Sequence, residues 1–213
     1  MALLGAPTLL LVTGLAIHGL GVLTPIARNA AAIPTTYLLN VVLIAVLVSV
    51  WEEGAWMAFM TARLQRRWGP VWAGVIVAPL FGLVHLPLFF VTGGLIDNAR
   101  PQGGQVLEYA FYLLVLFSVP VRIVVTWVYN STAGSLPVVA LLHASIDTSA
   151  STAVLIAFYP AVDGRLLYVA IALVAAGVVL ATNGRLGYRP VVGDAFHDQS
   201  ASPPTALAHD SHS

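Results

Sequence analysis

Two adjacent glutamates, Glu52 and Glu53, stand inside an apolar run, and no other feature restricts the fold of this chain so strongly. The run begins near Leu38, and Trp56, Met57, Ala58, Phe59 and Met60 continue it beyond the pair. The pair therefore lies within a hydrophobic helix rather than at its end. An acidic side chain at bilayer depth costs about 3 kcal/mol on insertion scales, so two side by side imply a task. Composition places the run in a membrane. Of 213 residues, 59% are hydrophobic and only 8% are charged, and the mean hydropathy is +0.89. A soluble domain carries about a quarter charged residues. Short alternating segments of the barrel type are missing, so the expected fold is all-α: a polytopic transmembrane helical bundle of about six spans.

Two further features narrow the chemistry. The chain has no cysteine, which removes disulfides, thiolate zinc sites and cysteine nucleophiles together. Its net charge is zero, which gives no reason to expect a nucleic-acid partner.

Six spans are expected. The first covers residues 2–27, is broken by Pro25, ends at Arg28, and lacks the basic start and cleavage site of a signal peptide. Its His18 is read as an interior or pore-facing histidine. The second runs from about Tyr37 to Met60 and leaves the membrane through Arg63, Arg66 and Arg67. The third runs from Pro70 to about Val91 and carries His85. Residues 93–105, rich in glycine, read as an exposed loop. The fourth span covers about 106–129 with Arg122 near its far end, the fifth about 136–158 with His143 and Asp147, and the sixth about 166–182. Residues 1–182 then form one transmembrane domain and 183–213 a disordered polar tail, in which His197, His209 and His212 lack helical spacing. Trp51, Trp56, Trp68 and Trp72 read as interface or core aromatics. Arg63, Arg66, Arg67, Arg185 and Arg189 outnumber Arg28, Arg100 and Arg165 across the membrane, which puts both termini in the cytoplasm of a multi-pass cell-membrane protein.

Depth arithmetic brings three helices together. At 1.5 Å per residue, Glu52 lies about 16 Å from the cytoplasmic edge, His85 about 22 Å, His143 about 10 Å and Asp147 about 16 Å. His143 and Asp147, spaced i, i+4, share one helix face. Glu52, Trp56 and Phe59 share another, while Glu53 points about 100° away, beside Met57. A carboxylate in such a place can act as a general base toward water, with histidines and a polar partner stabilising the oxyanion formed on an amide. Alternatively, Glu52, His85, His143 and Asp147 could ligate a divalent metal such as zinc, which lowers the pKa of bound water. These residues alone do not separate the two schemes.

The glutamate pair with Phe59 downstream, then F-x3-H as Phe81 to His85, then H-x3-D as His143 to Asp147, resembles the CPBP family of intramembrane proteases. That family covers CAAX prenyl endopeptidases and bacteriocin-processing or self-immunity proteins. The resemblance spans residues 37–151 and includes HLPLFF, TWVYNSTAGSL and LLHASIDTSA. It implies an endopeptidase acting on a membrane-associated peptide, with Glu52 activating water and Glu53 as its acidic neighbour. His85, His143 and Asp147 are implied as oxyanion stabilisers or metal ligands.

The family's first motif usually carries an arginine four residues after the second glutamate, and here that position is Met57. Arg122, at an estimated depth of roughly 10 Å, is expected to supply the charge to Glu53 from the fourth span, against the simpler reading that it anchors its helix at the headgroups. Asp147 stands where asparagine is common, which favours metal binding slightly. Two other readings remain: a non-catalytic immunity or interaction protein of the same fold, and a small transporter using the carboxylates as a proton site, against which the lack of an inverted repeat counts.

Overall fold

The structure is a computed structural model and describes residues 2–85 and 117–190. All regular elements among these residues are helical. The chain opens with α1 (Gly5–His18) and α2 (Leu23–Arg28), separated by a 3-10 turn, Gly19–Val22. The break in the first apolar stretch is therefore at Gly19, not at Pro25, which sits inside α2. Gly19 takes φ 61°, a left-handed value that glycine adopts without strain. The returning chain brings Val22 against Gly14, where a Cβ would come within 2.7 Å of Val22 Cγ2.

A second continuous helical stretch begins near Pro34 and changes its winding twice. A short π-helix (Pro34–Leu38) leads into α3 (Leu39–Val48), and a thirteen-residue π-helix spans Ser49–Thr61. The hydroxyl of Thr61 donates to the Trp56 carbonyl, five residues back, at 2.7 Å, in keeping with the wider turn. Then α4 (Ala62–His85) is interrupted at Gly69, where φ is 78°. Arg63, Arg66 and Arg67, where the second span is expected to leave the membrane, are thus helical, and the chain changes direction at Gly69. Pro70 directly succeeds Gly69 and cannot donate the backbone hydrogen bond that would continue the preceding turn.

Beyond residue 116, α5 (Ser118–Ser131) leads through a tight turn into α6 (Leu136–Ala150). Residues 136–158 are expected to make one span, but α6 stops at Ser151 and α7 (Thr152–Phe158) departs at 65°. The cause is local: Ser151 is extended, its hydroxyl donates to Thr148 O at 2.6 Å, and it accepts from the Val154 amide. The last described helix is α8 (Arg165–Ala181). Residues 183–190, expected to belong to a disordered tail, form turns in which Leu186 is fully buried. The tail histidines and the loop at 93–105 lie outside the described residues.

Leu10, Val41, Met57, Phe81, Val121, Val125, Val139 and Leu167 are buried in the interior. Outside, Leu20, Val50, Trp51, Leu173 and Leu180 are each 70% or more exposed, an apolar surface that suits lipid rather than water. Among the described residues, two stretches, Gly5–Arg28 and Ala30–His85, are long and apolar enough to cross a membrane, and the bent pair α6 and α7 makes a third if counted as one. For the site, the decisive packing is that of α6 on α3 and the π-helical stretch, and of α4 on α5. At the α4–α5 crossing, Gly74 lets the helices close to where a Cβ would sit 3.6 Å from the Arg122 carbonyl.

Candidate active site

The glutamate pair lies in the π-helical stretch Ser49–Thr61. Extended π-helices are rare and their wider turns concentrate at functional sites. Because each residue turns less than the 100° of an α-helix, neighbouring side chains stay closer in direction. Here the two neighbours divide. Glu53 is fully buried, and Glu52 keeps 29% of its side chain exposed.

Glu53 is held on two sides. Arg122 of α5 donates from Nη1 to Glu53 Oε1 at 2.8 Å, with neither side chain exposed. His143 of α6 donates from Nδ1 to the same oxygen at 2.6 Å. A buried charge is tolerable only when paired and hydrogen-bonded, and these contacts answer that need. The expected contact between Arg122 and Glu53 is thus present in the structure, although the two lie 69 positions apart. Met57, one turn beyond Glu53, is buried as an apolar side chain.

Glu52 meets the other side of the cluster. Its Oε2 lies 3.9 Å from His143 Nε2 and 3.8 Å from His85 Nε2, and has no hydrogen-bond partner among the described residues. His143 thus stands between the adjacent glutamates, bonded to Glu53 through one ring nitrogen and facing Glu52 with the other. His85 ends α4 and donates from Nδ1 to Phe81 O at 2.7 Å, which turns its Nε2 toward Glu52. Asp147, one turn after His143, brings Oδ2 within 3.6 Å of His143 Nε2 and keeps 28% of its side chain exposed. Glu52, Glu53, His85, His143, Asp147 and Arg122 therefore all reach one place. His18 does not, and is exposed at the end of α1.

An aromatic wall backs the cluster. The ring of Phe81, fully buried, lies 4.5 Å from that of His85 and 5.5 Å from that of His143. Trp56 meets Phe81 edge-on at 6.2 Å, and Phe117 stacks on it at 6.3 Å. Sequence reasoning missed Phe117, because one phenylalanine in an apolar run carries no signal of its own.

Donor geometry bears on the metal alternative. Donors around a tetrahedral zinc at 2.0–2.1 Å lie about 3.4 Å from one another. The separations here are 3.6, 3.8 and 3.9 Å. Among the described residues, no three His, Cys, Asp or Glu side chains are grouped to hold a metal ion. As arranged, Glu52, His85, His143 and Asp147 stand a few tenths of an ångström wider than the donors of a zinc site.

Fold and cluster together define a class: an all-α membrane protein with a titratable polar site inside its bundle. A family model described as type II CAAX prenyl endopeptidase Rce1-like matches residues 34–149. The chain belongs to that family of membrane proteases, and the matched stretch contains every residue of the cluster. Neither the curated proteins nor the solved structures contain a match to this chain.

Proposed function

We propose that this protein is an intramembrane endopeptidase in which Glu52 activates the attacking water. The observation that carries this reading is the contrast within the glutamate pair. Glu53 is tied to Arg122 and His143, while Glu52 has an oxygen without a hydrogen-bond partner among the described residues, flanked by two imidazole Nε2 atoms at 3.8 and 3.9 Å. A free carboxylate next to proton-carrying groups is what general-base attack on an amide requires.

In this scheme Glu52 takes a proton from water as the oxygen attacks the scissile carbonyl carbon. His143 donates from Nε2 to the oxyanion that forms, and the Nε2 of His85 faces the same place. Collapse of the tetrahedral intermediate breaks the C–N bond, and Glu52 returns its proton to the leaving amine. Glu53 fixes the ring of His143, and Asp147 lies beside its Nε2.

The substrate is a peptide with a membrane-associated segment, such as a prenylated CAAX-type tail or a leader. The arginine bias supports a multi-pass arrangement with cytoplasmic termini. The test compares peptide termini in membranes holding the wild-type protein or Glu52→Gln. Termini present only with the wild type support the proposal. Identical profiles from two folded proteins would sink it and favour a non-catalytic role.

A further inference from the structure

Arg122 satisfies only part of its hydrogen-bonding capacity. Its Nη1 serves Glu53, but Nε and Nη2 are buried with no hydrogen-bond partner among the described residues. A guanidinium closed off from water needs some other source of negative potential. The face of an aromatic ring is one, and Arg122 Cζ lies over the Phe81 ring, 5.1 Å from its centroid. The same ring touches His85 from its own helix and His143 from α6. The backbone carbonyl of Phe81 also receives the His85 Nδ1 proton. Three polar groups from three helices thus share one buried side chain, which Phe117 and Trp56 hold in place.

We propose that Phe81 is a positioning residue of this site, its π face compensating the free half of the Arg122 guanidinium while its ring fixes the two histidines. The ring acts on the chemistry only through its neighbours. By holding Arg122 it keeps Glu53 and hence His143 in place, and by contact it sets where the Nε2 atoms of His85 and His143 stand beside Glu52. The effect on catalysis rests on the peptidase reading. The compensation of Arg122 does not.

The experiment replaces Phe81 with mono-, di- and trifluorophenylalanine, a series that drains negative potential from the ring face with little change of shape. It is run in the wild-type and Arg122→Met backgrounds. Each protein is followed by its unfolding midpoint in detergent and by cleavage of a fluorescence-quenched farnesylated peptide with a CAAX end. In the wild-type background, midpoint and kcat should fall stepwise with fluorine number, kcat by about tenfold over the series. KM should stay within about twofold, since the ring does not touch substrate. With methionine at 122 the series should be flat. A flat series in both backgrounds, or the same slope in both, would show Phe81 to be an ordinary core side chain. A sloping midpoint in a protein that leaves this peptide intact keeps the Phe81–Arg122 contact and counts against a CAAX-type substrate instead.

Discussion

Arg122 Nη1 stands 2.8 Å from Glu53 Oε1, and neither side chain is exposed. The contact joins α5 to the π-helical stretch and explains how a chain with Met57 one turn after Glu53 still gives that carboxylate a cation. Breaking a buried pair by removing one partner leaves the other charge uncompensated, typically at about 3–5 kcal/mol. Arg122→Met should lower the unfolding midpoint sharply. Arg122→Met combined with Glu53→Gln should recover much of the loss, because no lone buried charge remains. Thermal unfolding in detergent measures both, and strictly additive losses would argue against the pairing.

Glu52 should behave in the opposite way. Its Oε2 makes no hydrogen bond among the described residues and the side chain is partly exposed, so Glu52→Gln should leave the unfolding midpoint nearly unchanged. Loss of a general base should still lower kcat by about 10²–10⁴-fold. Peptide cleavage in detergent, read beside the midpoint, checks the separation.

The two histidines should differ as well. His143 is buried and bonded to Glu53, whereas His85 is part-exposed and bonds the carbonyl of its own preceding turn. His143→Ala should cost activity and stability together, because Glu53 loses a donor in the interior, by about 1–3 kcal/mol. His85→Ala should cost mainly activity. Equal midpoints for the two variants would contradict the geometry.

Far from the site, Gly14 offers a packing test. A Cβ there would lie 2.7 Å from Val22 Cγ2 and 3.2 Å from Val162 Cγ2. Gly14→Ala should push the chain after Gly19 away from α1 and destabilise by about 1–3 kcal/mol, typical of overpacking. Val22→Ala in the same protein should relieve part of that loss, as read by unfolding midpoints.

The parts of this protein that are legible in sequence are those where chemistry conflicts with surroundings. Glu52, Glu53, His85, His143 and Asp147 are conspicuous in apolar text because a membrane tolerates few such groups, and their depths along the helices overlap. Arg122 is legible only in part. Its depth allows either a headgroup anchor or a partner for Glu53, and only the packing of α4 on α5 decides between them. Backbone winding is not legible. Nothing in SVWEEGAWMAFMT marks a π-helix, because i→i+5 bonding depends on partners packed around the stretch as well as on its own propensities. The bend at Ser151 and the reversal at Gly19 escape a sequence reading for a similar reason. Hydropathy averages across a break, and Pro25 is the more conspicuous residue. Phe117 shows the limit: its importance comes from standing next to Phe81, which linear text does not encode.

The wide winding of Ser49–Thr61 also makes the number of residues in it a constraint in its own right. Deleting one residue between Glu53 and Thr61 would turn the glutamates by nearly a quarter-turn relative to α4. Arg122 and the aromatic wall would then face a different part of the helix, although every side chain of the cluster was still encoded. In this stretch length works like register in a gear train, and homologues that share the mechanism should differ here by substitution rather than by insertion or deletion.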